Sequence, residues 1–240
     1  MRLRLIVLCA CMALLAIAPV TAQSPGQSKA FGKTLGEWMK LYHEWSLGGT
    51  DENRVKDMVF LPNMNMGEDD DWELIMDPDN RIWGWSGEMD VGLKVGEKFA
   101  STITAVIGEL YEDGTADDPD DDLIAWFVDL IRKFHVEIWL DGELIISSED
   151  DDYEDRWYDV VWFDEPIEYA EPTEYGAVAA TFITGYGFVH PPLSKGEHTL
   201  YIRLYWYKSE VPDVFGWDEL DEYDCGYNEL TLNITVAKKK

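Results

Sequence analysis

The chain has 240 residues, 48 of them acidic against 19 basic, which gives a formal net charge of −29, and 46% are hydrophobic and 13% aromatic. A field of that sign repels nucleic acid and anionic membrane surfaces and excludes both as partners, while it draws in cations and basic partners. The apolar content excludes an intrinsically disordered chain, so the acidity belongs to the surface of a folded one.

At the start, Arg2 and Arg4 precede an almost unbroken apolar run from Leu5 to Val20, which ends at Val20-Thr21-Ala22. Charge, apolar run and small-residue exit are the parts of a secretory signal peptide, and the run is shorter than the roughly 20 residues of a membrane-spanning helix. Cleavage after Ala22 is expected, giving a secreted or periplasmic product with no stable membrane insertion. Leu8-Cys9-Ala10-Cys11 does not make a lipid-attachment box, because Cys9 is wrong for it. Cys9 and Cys11 leave with the signal, so Cys225 has no intramolecular partner and reads as a packed thiol, its thiolate disfavoured by Asp221, Glu222, Asp224 and Glu229. The expected layout is a signal peptide over 1–22, a polar lead over 23–33, one domain over 34–236 and a basic tail over 237–240.

Thr34 and Glu37 form a capping box, which predicts a helix with Leu35, Trp38, Met39, Tyr42 and Trp45 on one face, closed by Gly48-Gly49. Short apolar runs between Gly, Pro, Asn and Asp then predict strands at Met58 to Leu61, Trp72 to Met76, Arg81 to Trp85 and Lys98 to Ile107. A second helix is expected from Asp121 to Lys133, with Leu123, Ile124, Phe127, Leu130, Ile131 and Phe134 on its apolar face and charges that suit its dipole. The alternation of Phe134, Val136, Ile138 and Leu140, followed by Asp141-Gly142 and Glu143 to Ile146, is a tight-hairpin signal. Further strands are predicted at Trp157 to Phe163, Ala177 to Thr184, His198 to Tyr207 and Glu229 to Val236. Many short strands with two helices predict a mainly β fold: an antiparallel β-sandwich, jelly-roll or immunoglobulin-like, with an N-terminal helix and one inserted helix.

Several segments together resemble a family of secreted bacterial proteins of unknown function. The resemblance rests on Phe31-Gly32-Lys33-Thr34 with Gly36-Glu37-Trp38, Val59-Phe60-Leu61, Val95-Gly96-Glu97-Lys98-Phe99, Asp141-Gly142, the turn and strand Pro192-Leu193-Ser194-Lys195-Gly196-Glu197-His198-Thr199, and Leu230-Thr231-Leu232-Asn233-Ile234-Thr235-Val236. It implies export and a β fold, and no activity. This chain departs from the family in lacking the cysteines of many members and in its acidic loops at Asp69-Asp70-Asp71 and Asp150-Asp151-Asp152.

No motif assigns a chemistry. Asp113, Asp117, Asp118, Asp120, Asp121 and Asp122, and Glu149 with Asp150 to Asp152, offer carboxylates for calcium, but neither group has the spacing of a calcium loop. Gly84-Trp85-Ser86-Gly87 is one glycine short of a nucleophile elbow and reads as a strand. His43, His135, His190 and His198 lack paired metal spacing; His135 is expected at the surface, and His198 to brace a loop. Trp83, Trp85, Trp139, Trp157, Trp162, Trp206 and Trp217 read as core, with a sugar-stacking face as the alternative. Asn233-Ile234-Thr235 has the form of a glycosylation sequon, with no glycan expected in a bacterial protein. No catalytic, cofactor-binding or metal residue is therefore singled out, and calcium is the one cofactor the acidic groups admit. The sequence favours a non-enzymatic binding or scaffold module of the cell envelope, with cationic, basic or glycan partners, over a glycan hydrolase or a calcium-dependent adhesion module.

Overall fold

The structure, a computed structural model, describes residues 30–47, 53–63, 72–77, 79–118, 120–173, 175–211 and 223–238. The expected signal peptide, Gly48-Gly49, Asp69 to Asp71 and Trp217 lie outside them. The described residues are mainly β, as expected, with 56% of them in strands against 16% in helices.

Two sheets carry the fold. The first has five strands in the order β1 (Arg54–Val55), β2 (Met58–Phe60), β5 (Lys98–Tyr111), β9 (Ala177–His190) and β8 (Tyr158–Glu168). The second has six, in the order β3 (Trp72–Asp77), β4 (Ile82–Lys94), β11 (Cys225–Ala237), β10 (Gly196–Tyr207), β6 (His135–Leu140) and β7 (Glu143–Ser147). The expectation of an all-antiparallel arrangement is corrected at two places, since β11 runs parallel to β4 and β2 runs parallel to β5. Neither pair is joined by a hairpin, so no turn fixes their relative direction, and sequence patterning carries no other signal for it.

Local chemistry explains the elements that matter most. In the β6–β7 hairpin, Asp141 and Gly142 take φ of 52° and 81°. Positive φ at both turn residues is what a two-residue loop needs to match strand twist, and glycine and aspartate tolerate it. Helix α1 (Leu35–Leu47) begins with the expected box: Thr34 N–H donates to Glu37 Oε2 at 2.7 Å and Glu37 N–H to Thr34 Oγ1 at 3.2 Å.

Helix α2 (Asp122–Arg132) buries Ile124, Leu130 and Ile131, with Phe127 and Val128 packed against the same core. Leu123 is the exception to the expected stripe: it lies in the first turn of the helix and is 63% exposed. Asp150 to Asp152 lead into a short helix not foreseen, α3 (Tyr153–Trp157), which buries Tyr153 and Trp157.

The core lies between the sheets. Phe99, Ile103, Phe182, Tyr186 and Phe188 of the five-stranded sheet meet Val136, Ile138, Leu200, Ile202, Leu204, Leu230, Leu232 and Ile234 of the six-stranded one, with α2 and α3 filling one side. Gly226 lets the Trp206 ring lie flat against the strand, where a Cβ would fall within the indole. On the other side of the five-stranded sheet, α1 packs Leu35 and Met39 on Phe163, Ala180 and Ile183, and Trp38 and Tyr42 on Met58, Phe60 and Val189. The three helices pack chiefly on strands of the five-stranded sheet. Among the described residues no helix covers the outward side of the six-stranded sheet.

Under α1, His43 is buried and bonded to Thr102 Oγ1 at 3.2 Å and Ser46 Oγ at 3.4 Å. Burial pulls its pKa down from 6.5 to about 3, so the folded protein holds it neutral where the unfolded chain protonates. Stability is expected to fall as pH drops from 6.5 toward 3, and His43→Gln to flatten that slope, as read by urea unfolding across the range.

Candidate functional site

Alternation in the central strands of the six-stranded sheet decides what faces outward. In β10, Leu200, Ile202, Leu204 and Trp206 are buried, so Tyr201, Arg203 and Tyr205 turn the other way. The register pairs Arg203 with Glu137 of β6 and Glu229 of β11, Tyr201 with Trp139 and Thr231, and Tyr205 with His135 and Tyr227. Parallel pairing to β4 adds Ser86 beside Glu229 and Glu88 beside Thr231. Opposite neighbours in a sheet lie about 5 Å apart, so these side chains form one continuous polar and aromatic surface.

Its centre is a carboxylate held by tyrosines. Glu229 Oε2 accepts hydrogen bonds from the hydroxyls of both Tyr201 and Tyr227, which lie 2.8 Å from each other. Burial, followed by the bond to Glu229, pushes both phenols above their ordinary range. Arg203 lies against both rings, at 5.5 and 5.6 Å, and donates to Glu137 Oε2 at 3.2 Å and to the Tyr201 hydroxyl at 3.3 Å. Partial desolvation works against the guanidinium charge, but its tyrosine contacts outweigh that and hold the pKa up. Every member is fixed by another, which makes a rigid surface rather than a set of loose side chains.

Beside this cluster lies a depression of about 410 Å³ lined by Trp72, Glu73, Ser86, Gly87, Glu88, Glu229 and Thr231. Along its margin Asn233 donates to Glu88 Oε1 at 2.7 Å and to Asp90 Oδ1 at 3.3 Å, so the sequon asparagine is engaged within the sheet. At the opposite end His135 is stacked on Tyr205 at 4.8 Å, with Nδ1 3.0 Å from Glu149 and Nε2 3.0 Å from Glu210. His135 is half-buried rather than a free surface residue.

The other sequence candidates are placed as follows. His198 braces a loop: its Nδ1 meets Asp141 Oδ2 at 2.7 Å, its Nε2 meets Ser194 O at 3.0 Å, and Thr199 N–H donates to Asp141 Oδ1 at 2.9 Å. The His-Thr pair of the Pro-Leu-Ser-x-Gly-Glu-His-Thr segment thereby grips the turn of the β6–β7 hairpin. Gly84 to Gly87 lie inside β4, without the strand-to-helix turn of a nucleophile elbow. His190 is buried and stacked on Phe99 at 4.8 Å. Burial raises the Cys225 thiol above its ordinary pKa, with Glu210 adding to the effect.

Carboxylates of the acidic group before α2 serve turns: Asp113 Oδ1 accepts from Thr115 N–H at 2.9 Å, Asp118 Oδ1 from Asp120 N–H at 3.0 Å, and Asp121 Oδ2 from Asp118 N–H at 2.8 Å. Among the described residues no group of three or more His, Cys, Asp or Glu is placed to hold a metal ion. No described helix is long and apolar enough to cross a membrane.

Sequence reasoning missed the Tyr201, Arg203, Tyr227 and Glu229 cluster. Its signal was present in the two strands as alternation, Leu-Tyr-Ile-Arg-Leu-Tyr and Tyr-Asn-Glu-Leu-Thr-Leu, but the cluster needs both registers at once. No protein-family model matches the chain, and no curated protein matches it. Its function rests on the geometry of its faces.

The Asp141–His198 clasp has a pH signature. Bonding to Asp141 raises the His198 pKa above 6.5. Burial pushes Asp141 up, but the bonds from His198 and Thr199 outweigh it and leave the carboxyl below 3.8. The His198 contribution is full below 6.5 and is lost as pH rises through its raised value; the Asp141 contribution is present above 3.8 and is lost as pH falls through its lowered one. His198→Gln is therefore expected to cost most stability between those two ordinary values and progressively less toward alkaline pH, measured as the difference in denaturant midpoint from the parent.

Proposed function

We propose that this chain is a non-enzymatic, exported β-sandwich binding module whose recognition surface is the outward side of the six-stranded sheet, and that its ligand is a neutral glycan. The observation that carries this reading is the fixed surface formed by Tyr201, Arg203, Tyr227, Glu229, Glu137 and Trp139 beside the carboxylate-lined depression. Sugars present paired hydroxyls and apolar C–H faces; carboxylates accept two hydroxyls at once, arginine donates to ring oxygens, and an indole stacks on the C–H face. Rigid donors and acceptors limit the entropy lost on binding. The acidity of Glu73, Glu88, Asp90 and Glu229 selects against polyanionic glycans, and the secretory signal would deliver the module to where glycans are displayed.

The hydrolase reading would need two carboxylates about 5 to 10 Å apart across a cleft, one of them poised as an acid. The fixed partners of Glu229 favour holding a ligand over turning one over.

Native affinity electrophoresis of residues 23–240 through gels cast with soluble neutral glucans, mannans or xylans is expected to show retardation by at least one of them. Trp139→Ala and Glu229→Gln should each weaken it about tenfold, the equivalent of roughly 1.4 kcal/mol, with no release of reducing ends. Absence of retardation by every polymer would sink the glycan assignment, and release of reducing ends would favour the hydrolase.

A further inference from the structure

We infer that a second recognition site lies at the free edge of β8, where an extended basic peptide from another protein adds as a strand in the groove beside α1. This site is separate from the sheet face and does not depend on the glycan reading.

Strand β8 closes one side of the five-stranded sheet and, among the described residues, pairs only with β9. From Tyr158 to Trp162 that pairing is unbroken, running against Tyr186 to Phe182; a register shift follows, and Pro166 lies within it. The later half of the strand is thus guarded against strand addition by a bulge and a proline, the usual protections of an edge, while the first half has neither. The backbone there already looks for a partner. Val160 N–H donates to the Asp159 carboxylate at 2.9 Å, a side chain standing in for a neighbouring carbonyl. In an antiparallel strand the N–H and C=O of one residue point to the same side and alternate along the chain. Val160 facing the free edge therefore puts Trp162 there as well, while the Tyr158 N–H caps α3 by donating to Glu154 O.

The space for a strand is present. A groove of about 540 Å³ runs between α1 and this edge, with Lys33, Glu37, Lys40 and Glu44 on the helix side and Asp159 and Asp164 on the strand side. Gly36 sets its depth: a Cβ there would stand 2.7 Å from Asp159 Oδ2 and 2.9 Å from Val161 Cγ2, so only glycine lets the helix lie this low on the strand. An edge strand beside a helix is a recurrent geometry for peptide capture, in which backbone bonds supply affinity and side-chain pockets supply selectivity.

Charge and exposure describe the occupant. The groove has four carboxylates to two lysines, and both lysines are engaged, Lys40 with Asp164 at 3.1 Å and Lys33 over the Trp38 ring at 5.8 Å. In a chain of net charge −29 this favours a partner bearing lysine or arginine. Val160 and Trp162 share one side of the strand and are 43% and 56% exposed, offering an apolar shelf to the alternate residues of an incoming strand.

The test is fluorescence anisotropy of residues 23–240 with a labelled nine-residue peptide alternating Lys with Val and Thr, against a second peptide with Glu in place of each Lys. The Lys peptide is expected to bind saturably and at least tenfold more tightly than the Glu peptide. Val160→Pro removes the edge N–H, leaves every charge in place and spares the pairing with β9, so it should weaken the Lys peptide at least tenfold with the thermal midpoint unchanged. As a readout independent of that variant, amide exchange at Val160 and Trp162 in the parent should slow when the peptide is bound. Equal affinity of Val160→Pro and the parent would mean attraction by overall charge alone and would overturn the site, as would unchanged exchange at Val160. Self-association of the parent that Val160→Pro abolishes would overturn the choice of occupant in favour of a second copy. Glu229→Gln should leave the peptide affinity unchanged, which keeps this result distinct from the fate of the glycan reading.

Discussion

The register of β10 is the constraint on which most of this structure depends. The strand is bonded on both sides, to β11 over its whole length and to β6 over six residues. Its alternation sends Leu200, Ile202, Leu204 and Trp206 into the core and Tyr201, Arg203 and Tyr205 to the outside. A slip of one residue would bury an arginine and two tyrosines and expose four core side chains, an inversion costing far more than a domain's net stability. The clasp of His198 and Thr199 on Asp141 sets that register at one end, because it ties the start of β10 to the hairpin turn leaving β6. Core packing and the polar surface are two consequences of one alignment.

A second constraint is the uneven placing of the helices. With α1 on one side of the five-stranded sheet and α2 and α3 on the other, that sheet is covered on both sides along much of its width. Among the described residues the six-stranded sheet has helical cover on one side only. A sheet face without helical cover must satisfy its polar groups from within, and the tyrosine, arginine and glutamate cluster does so with bonds running across β6, β10 and β11. The same bonds that make the face stable make it rigid, and a rigid array of acceptors, donors and rings is what recognition of a small polar ligand requires.

The two histidines that titrate in opposite directions show how position sets chemistry. His43 under α1 and His198 at the hairpin turn share a side chain and an ordinary pKa. One is buried among apolar groups with hydroxyl partners and stays neutral; the other is half-buried beside a carboxylate that raises its pKa. Acid loosens the α1 contact, and alkali loosens the hairpin clasp.

Much of the fold was legible in the residues because the signals were local. The capping box at Thr34 and Glu37, the Asp141-Gly142 turn, and the period-two runs of β6, β10 and β11 all appear where patterning put them, to within a few residues. Strands came out longer than expected, as β4 runs on through Gly87 and β9 through Gly185 and Gly187, where glycine makes room for Trp72, for the backbone of the neighbouring strand or for α1 rather than ending a strand. The mainly β character, the places of α1 and α2, the β6–β7 hairpin, the bracing role of His198 and the excess of acidic residues follow from the residues alone, since each depends on composition or on residues close together in the chain. That β11 lies parallel to β4, that Glu229 meets Tyr201 and Tyr227, and that α1 leaves a groove beside the edge of β8 emerge from the packing of the whole fold. Those features join segments far apart in the chain, and their register is set by packing energy summed over whole sheets, which no local pattern encodes.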